Sequence, residues 1–169
     1  DELRRAFTPK TRLIVVNTPH NPTGKVFTRE ELSLIAELCV RHGVVAVTDE
    51  VYERLTFDAN RPHLSLATFP GMAERTVTLS SLGKTYSLTG WKIGWAIAPT
   101  ELTKAVRAAH QFLTFCAAVP LQHGAAAAIQ SGEAEVAGLV EHLRRARDYL
   151  GSALATLGFT VYRPDGTYF

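Results

Sequence analysis

The sequence predicts an α/β fold: a mostly parallel sheet flanked by helices, with a long helix leading into the start of a small α+β domain. Three observations carry this reading. Two short β-branched runs, at residues 12–16 and 44–48, bracket a segment of helical periodicity, which is the βαβ unit of a parallel sheet. Two further strand-length runs follow at 76–80 and 93–98. Beyond Pro99 the periodicity becomes helical as far as Leu157.

Taken in order, the first run stops at Asn17-Thr18-Pro19, a turn signal. Thr28 and Glu31 have the spacing of a capping box, in which each side chain takes one of the free amides of a helix start. Leu32, Ile35, Ala36 and Cys39 then recur at helical spacing, and Gly43 ends the helix because glycine tolerates left-handed backbone. The run Val44-Val45-Ala46-Val47-Thr48 is too short for a helix and lacks alternation, so it predicts a strand buried on both faces. A connection rich in small residues, carrying Lys84, joins the strands at 76–80 and 93–98. Helices are expected at 101–115, 121–130 and 133–157. The last places Leu139, Leu143, Ala146 and Leu150 on one side and leaves Arg144, Arg145 and Arg147 for a solvated side. Gly158 ends it, residues 159–162 are expected to open a strand, and another is expected to start at 166–169. A domain change is expected near Gly132, dividing the chain into 1–132 and 133–169. Both ends read as cut from a longer polypeptide.

The 169 residues are 46% hydrophobic and 20% charged, enough for a substantial core. Eighteen basic and sixteen acidic residues are scattered to a net charge of +2, with no stripe that nucleic acid or an anionic membrane would select. No run is long and apolar enough to cross a bilayer, and the first residues lack the layout of a secretory signal, so the cytoplasm is expected. Cys39 and Cys116 lie far apart among apolar neighbours, which predicts two buried free thiols in a reducing compartment. The histidines show no ligand spacing, so no metal site is expected, and only His20 lies beside a motif, in a structural role.

Asp49 follows the run 44–48 directly, at the carboxyl edge of the expected sheet, where open α/β sheets bind ligands. The same residue could simply cap the turn through Tyr52 and Arg54. Lys84, in Ser80-Ser81-Leu82-Gly83-Lys84-Thr85, has small neighbours that would let a cofactor approach, although a lone loop lysine is usually a surface charge. Four segments read together narrow these choices. Asn21-Pro22-Thr23-Gly24, Asp49-Glu50-Val51-Tyr52, Ser81-Leu82-Gly83-Lys84 and Gly90-Trp91-Lys92-Ile93-Gly94 occur in this order after successive strands.

That ordered set resembles the class I/II aminotransferases among the fold-type I enzymes that use pyridoxal 5'-phosphate. Residues 17–27 look most like the kynurenine, glutamine and methionine aminotransferase branch. The resemblance covers almost the whole chain and implies that 1–132 is the central part of the large cofactor-binding domain and 133–169 the interdomain helix and the beginning of the small C-terminal domain. It implies transfer of an amino group from an L-amino acid to a 2-oxo acid through a Schiff base on Lys84, in a homodimer that shares its active sites. The catalytic residues it implies are Lys84, Asp49 and Tyr52, and the cofactor-binding residues Asn21, Asp49, Tyr52, Ser81, Lys84 and Lys92.

These roles make chemical sense. A buried carboxylate at Asp49 keeps a ring nitrogen protonated, and the amide of Asn21 and hydroxyl of Tyr52 are donors for a phenolate oxygen. Ser81 and Lys92 would hold the phosphate; many relatives carry arginine at the latter position, and lysine substitutes a point charge for a bidentate fork. Asn21-Pro22 resembles a site at which the family has a cis peptide bond, and Trp91 and Trp95 are expected to pack beneath the cofactor loop. Carbon-sulfur β-lyases and the cofactor-binding domains of certain transcription regulators share this constellation and are the alternative readings. The resemblance also places a phosphate loop, a ring-stacking aromatic residue and the substrate-carboxylate arginine outside these residues.

Overall fold

The structure, a computed structural model, describes residues 2–169. A short helix α1 (Glu2–Ala6) precedes strand β1 (Leu13–Asn17), and helix α2 (Arg29–His42) leads to strand β2 (Val45–Asp49). Strand β3 (Thr76–Ser81) runs directly into the short helix α3 (Leu82–Thr85), and strand β4 (Gly94–Ile97) follows. Three helices complete the chain: α4 (Thr100–Leu113), α5 (Val119–Ser131) and α6 (Glu133–Thr156). The sheet has the order β1-β2-β3-β4, with the first three strands parallel and β4 antiparallel to β3. The mostly parallel sheet and three long helices after Pro99 agree with the sequence reading. Helices α1 and α3 were not expected, because four or five residues are too few to display a helical period.

The capping box forms as read: Thr28 Oγ1 accepts from the Glu31 amide at 3.3 Å, and Glu31 Oε2 accepts from the Thr28 amide at 2.9 Å. Gly43 closes α2 with φ 65°. Leu32, Ile35, Ala36 and Cys39 on α2 pack with Val16 and Ala46 of the sheet, and Phe7, Leu66, Phe69 and Met72 extend this core. Truncating a fully buried leucine such as Leu32 to alanine costs about 2–5 kcal/mol.

Register explains a departure from expectation in β2. Val16 and Ala46 face α2, whereas Val15, paired with Val47 on the other face, is 66% exposed. β2 therefore alternates between buried and half-buried side chains instead of being buried on both faces. Its apolar run anticipates two covering layers, and among the described residues only the α2 side is fully covered.

A second core lies under the lysine-bearing segment. Leu82, Ile93 and Ala125 form it, with Tyr86, Leu88, Trp95 and Leu121 against them. Gly124 of α5 admits the ring of Trp91, since a Cβ there would come within 2.6 Å of it. Trp95 thus packs with Leu82 of α3, as expected, whereas Trp91 leans on α5 and stays partly exposed at 38%.

The last third of the chain brings corrections. Arg147 is not on a solvated side: its guanidinium stands 4.7 Å from the Phe57 ring centroid, donates to the Pro164 carbonyl at 3.0 Å, and its side chain is only 12% exposed. Leu150, expected on the covered side of α6, is exposed, and Val136 is the buried residue of that helix. Residues 159–162 form no strand, because no neighbouring strand among the described residues offers them a ladder. Instead a single bridge joins Thr56 to Gly166. Cys39 is buried, but Cys116, in the link between α4 and α5, is exposed, contrary to the reading of two buried thiols. Among the described residues no helix is long and apolar enough to cross a membrane.

Segment 164–167 folds back onto the first loop. The amides of Asp165 and Gly166 donate to the Gly24 carbonyl at 2.8 and 2.9 Å, and Thr167 donates to the Leu55 carbonyl at 2.8 Å. Gly24 has φ +68°, and a Cβ on it would lie 2.2 Å from Cβ of Pro164. Left-handed backbone and close approach both demand glycine here.

Candidate active site

The carboxyl ends of β1, β2 and β3 converge on one edge, which is where sequence reasoning put the chemistry. Asn17, the last residue of β1, knits this edge together. Its Oδ1 accepts from the Asn21 amide at 2.8 Å, and its Nδ2 donates to the Asp49 carbonyl at 3.0 Å. The peptide bond Asn21-Pro22 is cis, as the resemblance implied, and so is Thr18-Pro19. His20 Nδ1 and Thr23 Oγ1, 2.8 Å apart, brace the same loop.

Asp49 ends β2, and its Oδ1 accepts from the Val51 amide at 3.3 Å. The turn-capping reading is therefore realised at one oxygen, while no hydrogen bond engages the other among the described residues. The turn continues to Tyr52, a buried side chain whose hydroxyl oxygen accepts from Nδ2 of Asn21 at 3.3 Å. Burial pushes the Tyr52 phenol above its ordinary pKa; the Asn21 hydrogen bond opposes this and the charge of Asp49 adds to it.

Lys84 sits on α3 rather than in an irregular loop, and its Nζ lies 5.8 Å from the centroid of the Tyr52 ring. A short helix gives the lysine a firmer base than a loop would. Thr89 Oγ1 donates to the Gly83 carbonyl at 2.8 Å, and a Cβ on Gly83 would meet Cα of Thr89 at 3.3 Å. The antiparallel turn from β3 to β4 brings the remaining candidates to one place: Ser81 pairs with Gly94, and the Leu82 amide donates to the Ile93 carbonyl at 3.1 Å. Ser81 and Lys92 thus flank the same strand end, with Lys92 in left-handed backbone at φ 56°. Among the described residues, no hydrogen bond engages the Lys84 amine, the Ser81 hydroxyl or the Lys92 ammonium.

Two parts of the site were missed in the sequence. Tyr168 and Phe169, expected only to begin a strand, stand edge-on to Tyr52 with centroids 5.9 and 6.3 Å away, and the Tyr168 hydroxyl donates to the Lys84 carbonyl. Burial raises the pKa of Tyr168 as well. His63, set aside for want of ligand spacing, is buried against Glu50 directly behind the site, with Nε2 2.7 Å from Oε2. Neither contact has a local sequence signal, because each joins segments that only folding brings together. Among the described residues no three His, Cys, Asp or Glu side chains are grouped to hold a metal ion.

A parallel sheet whose carboxyl edge carries an aspartate, a buried tyrosine and a lysine on the next short helix is the central layer of a fold-type I pyridoxal phosphate-dependent transferase. The sequence model of the family described as aminotransferase class I and II matches residues 1–169, and the chain belongs to that family. It is 52% identical over 169 residues to the probable N-succinyldiaminopimelate aminotransferase DapC of Mycobacterium tuberculosis, covering 100% of this chain and 42% of that protein. It is 43% identical over 175 residues to kynurenine–oxoglutarate transaminase 3 of Homo sapiens, covering 99% of this chain and 38% of that one. The solved structure of the N-succinyldiaminopimelate aminotransferase from Mycobacterium tuberculosis superposes with a TM-score of 0.95 at 51% identity, over 98% of this chain and 43% of its own. The chain thus spans well under half the length of the relatives it matches.

Proposed function

We propose that the complete protein transfers an amino group from an L-amino acid to a 2-oxo acid with pyridoxal 5'-phosphate, and that Lys84 is the covalent anchor and proton carrier. The observation that carries this is the free Lys84 amine beside the Tyr52 and Asn21 pair, on the sheet edge that ends in Asp49. The donor set suits the cofactor group by group: an amine for its aldehyde, a carboxylate for its basic ring nitrogen, an amide and a phenol for its phenolate oxygen, and a hydroxyl with a cation for its phosphate.

When bound, pyridoxal phosphate supplies an electron sink for the electrons left behind as the substrate α-proton departs. Asp49 would hold a proton on the cofactor's ring nitrogen, because a carboxylate favours the charged form. Tyr52 would donate its phenolic hydrogen to the cofactor's phenolate oxygen while its own oxygen accepts from Asn21, and burial raises the phenol's pKa further above its ordinary value. Ser81 and Lys92 bind and orient the phosphate end. Lys84 would hold the cofactor's aldehyde carbon through its amine and, as a free amine, would serve as the general base that takes the proton from the substrate α-carbon.

We also propose that the large domain ends near Gly132, which caps both the end of α5 and the start of α6, with 133–169 belonging to the next domain. A homodimer is proposed from the resemblance alone, and a cytoplasmic setting is in keeping with two free cysteines. Transfer is favoured over β-elimination or ligand sensing because the relatives carry aminotransferase names. The substrates in those names, an N-succinylated diamino acid and kynurenine, are the first amino donors to test.

The test is a panel of amino donors against the full-length protein. Oxo-acid product should form only when a second oxo acid is supplied. Lys84→Ala should lower turnover by about 10²–10⁴-fold or more and abolish the lysine-linked cofactor absorbance. Retention of both would refute the assignment.

A further inference from the structure

Glu50 is the ionisable member of the Asp49–Tyr52 turn that the proposed chemistry leaves without a task. It is 2% exposed, and both carboxylate oxygens are engaged. His63 Nε2 lies 2.7 Å from Oε2, and Ser65 Oγ donates to Oε1 at 3.0 Å. Both partners come from the segment between β2 and β3, 13 and 15 residues further along the chain. The backbone of Glu50 is held as well: its amide donates to the Leu79 carbonyl at 2.9 Å, and its carbonyl accepts from the Glu53 amide at 2.9 Å.

A carboxylate withdrawn this far from water costs several kcal/mol unless it is paired, and an apolar side chain could fill the same volume without that cost. What an apolar residue could not supply is direction. Glu50 follows β2 directly and its amide continues the ladder to Leu79, so the His63 and Ser65 bonds fix the backbone immediately after Asp49. Only Glu50 and Val51 separate Asp49 from Tyr52, so holding Glu50 from behind sets the backbone that presents both.

We propose that Glu50, His63 and Ser65 form a bracket of positioning residues that fixes Asp49 and Tyr52 for the cofactor. This rests on the function proposed above. A displacement on the order of 1 Å in such groups is enough to slow chemistry by about a hundredfold. Glu53 is the other acid behind the turn; burial raises its pKa, against the opposing influence of Ser80 and His63.

The test uses the full-length holoenzyme with Glu50→Ala, Glu50→Gln, His63→Gln and Ser65→Ala. Glu50→Ala should reduce kcat by roughly ten- to a hundredfold. KM for the amino donor should change little, and the pH midpoint of the bound cofactor's absorbance should shift. Glu50→Gln and Ser65→Ala keep part of the bracket and should fall between Glu50→Ala and wild type. A lowered Tm with kcat and midpoint unchanged would reduce the bracket to a stabilising element and overturn the proposal. Should Glu50→Ala fail to fold, the same readings on Ser65→Ala and His63→Gln decide it. Wild-type protein without any Lys84-dependent cofactor absorbance would sink the proposed function itself; its presence together with silent bracket variants would sink only the bracket.

Discussion

The amine of Lys84 stands 5.8 Å from the centroid of the Tyr52 ring, although 32 positions separate 52 from 84 in the chain. The ring face offers the ammonium a favourable electrostatic contact. Its hydroxyl, bonded to Asn21, points the same side chain at a second task.

Tyr52→Phe separates the two. The ring contacts to Lys84, Tyr168 and Phe169 survive, and the hydroxyl is lost. A hydrogen bond to a charged group contributes about 1.5–3 kcal/mol, so kcat should fall by roughly ten- to a hundredfold. A donor at the phenolate oxygen withdraws the charge that would otherwise keep a proton on the nitrogen joined to Lys84. Its removal should therefore raise the pH midpoint of the cofactor absorbance, which a spectrophotometric titration reads directly.

Asp49→Ala leaves the cofactor's phosphate ligands in place and removes the partner of the ring nitrogen. Some cofactor should remain bound, while abstraction of the substrate α-proton slows by about 10²–10³-fold. Stopped-flow measurement with an α-deuterated amino donor checks this; a near-normal rate would count against the role assigned to Asp49.

Gly24→Ala tests whether the Asn21–Gly24 loop has its glycine for the sake of a segment 140 positions away. The new Cβ would need left-handed backbone and would collide with Pro164 and the Gly166 carbonyl. Destabilisation of about 2–4 kcal/mol is expected, with faster proteolysis in segment 158–167 as that segment loses its seat. Thermal unfolding and limited proteolysis of the full-length protein read both effects.

Burial pushes the Cys39 thiol from its ordinary value of 9.0 up to about 11. The folded state therefore keeps this proton over a range in which the unfolded state has lost it. Stability should be fully present below pH 9 and should decline as pH rises through about 11, by roughly 2–3 kcal/mol in total. In Cys39→Ala that part of the alkaline decline should vanish, which urea unfolding on either side of this range would show.

What could be read in the chain itself was whatever depends on neighbours in sequence. The capping box at Thr28 and Glu31, the glycine stop at Gly43 and the apolar period of α2 are local patterns, and each formed where it was read. The strand runs ended where Asn17 and Asp49 stand because a polar residue after an apolar run leaves a buried strand for its edge. The ordered motifs around Asn21, Asp49, Lys84 and Lys92 pointed to one family, since their chemistry constrains residue type position by position.

Tertiary structure alone decided the rest. That Tyr168 and Phe169 close on Tyr52, that Arg147 lies over Phe57 instead of in solvent, and that Glu50 is gripped by His63 and Ser65 left no mark of period or spacing. Each contact pairs residues that lie at least 13 positions apart in the chain and meet only once the backbone between them has folded. A helix or a cap is determined by residues within one turn of each other, whereas a buried pair depends on where the whole backbone has carried both partners, and no local pattern encodes that distance.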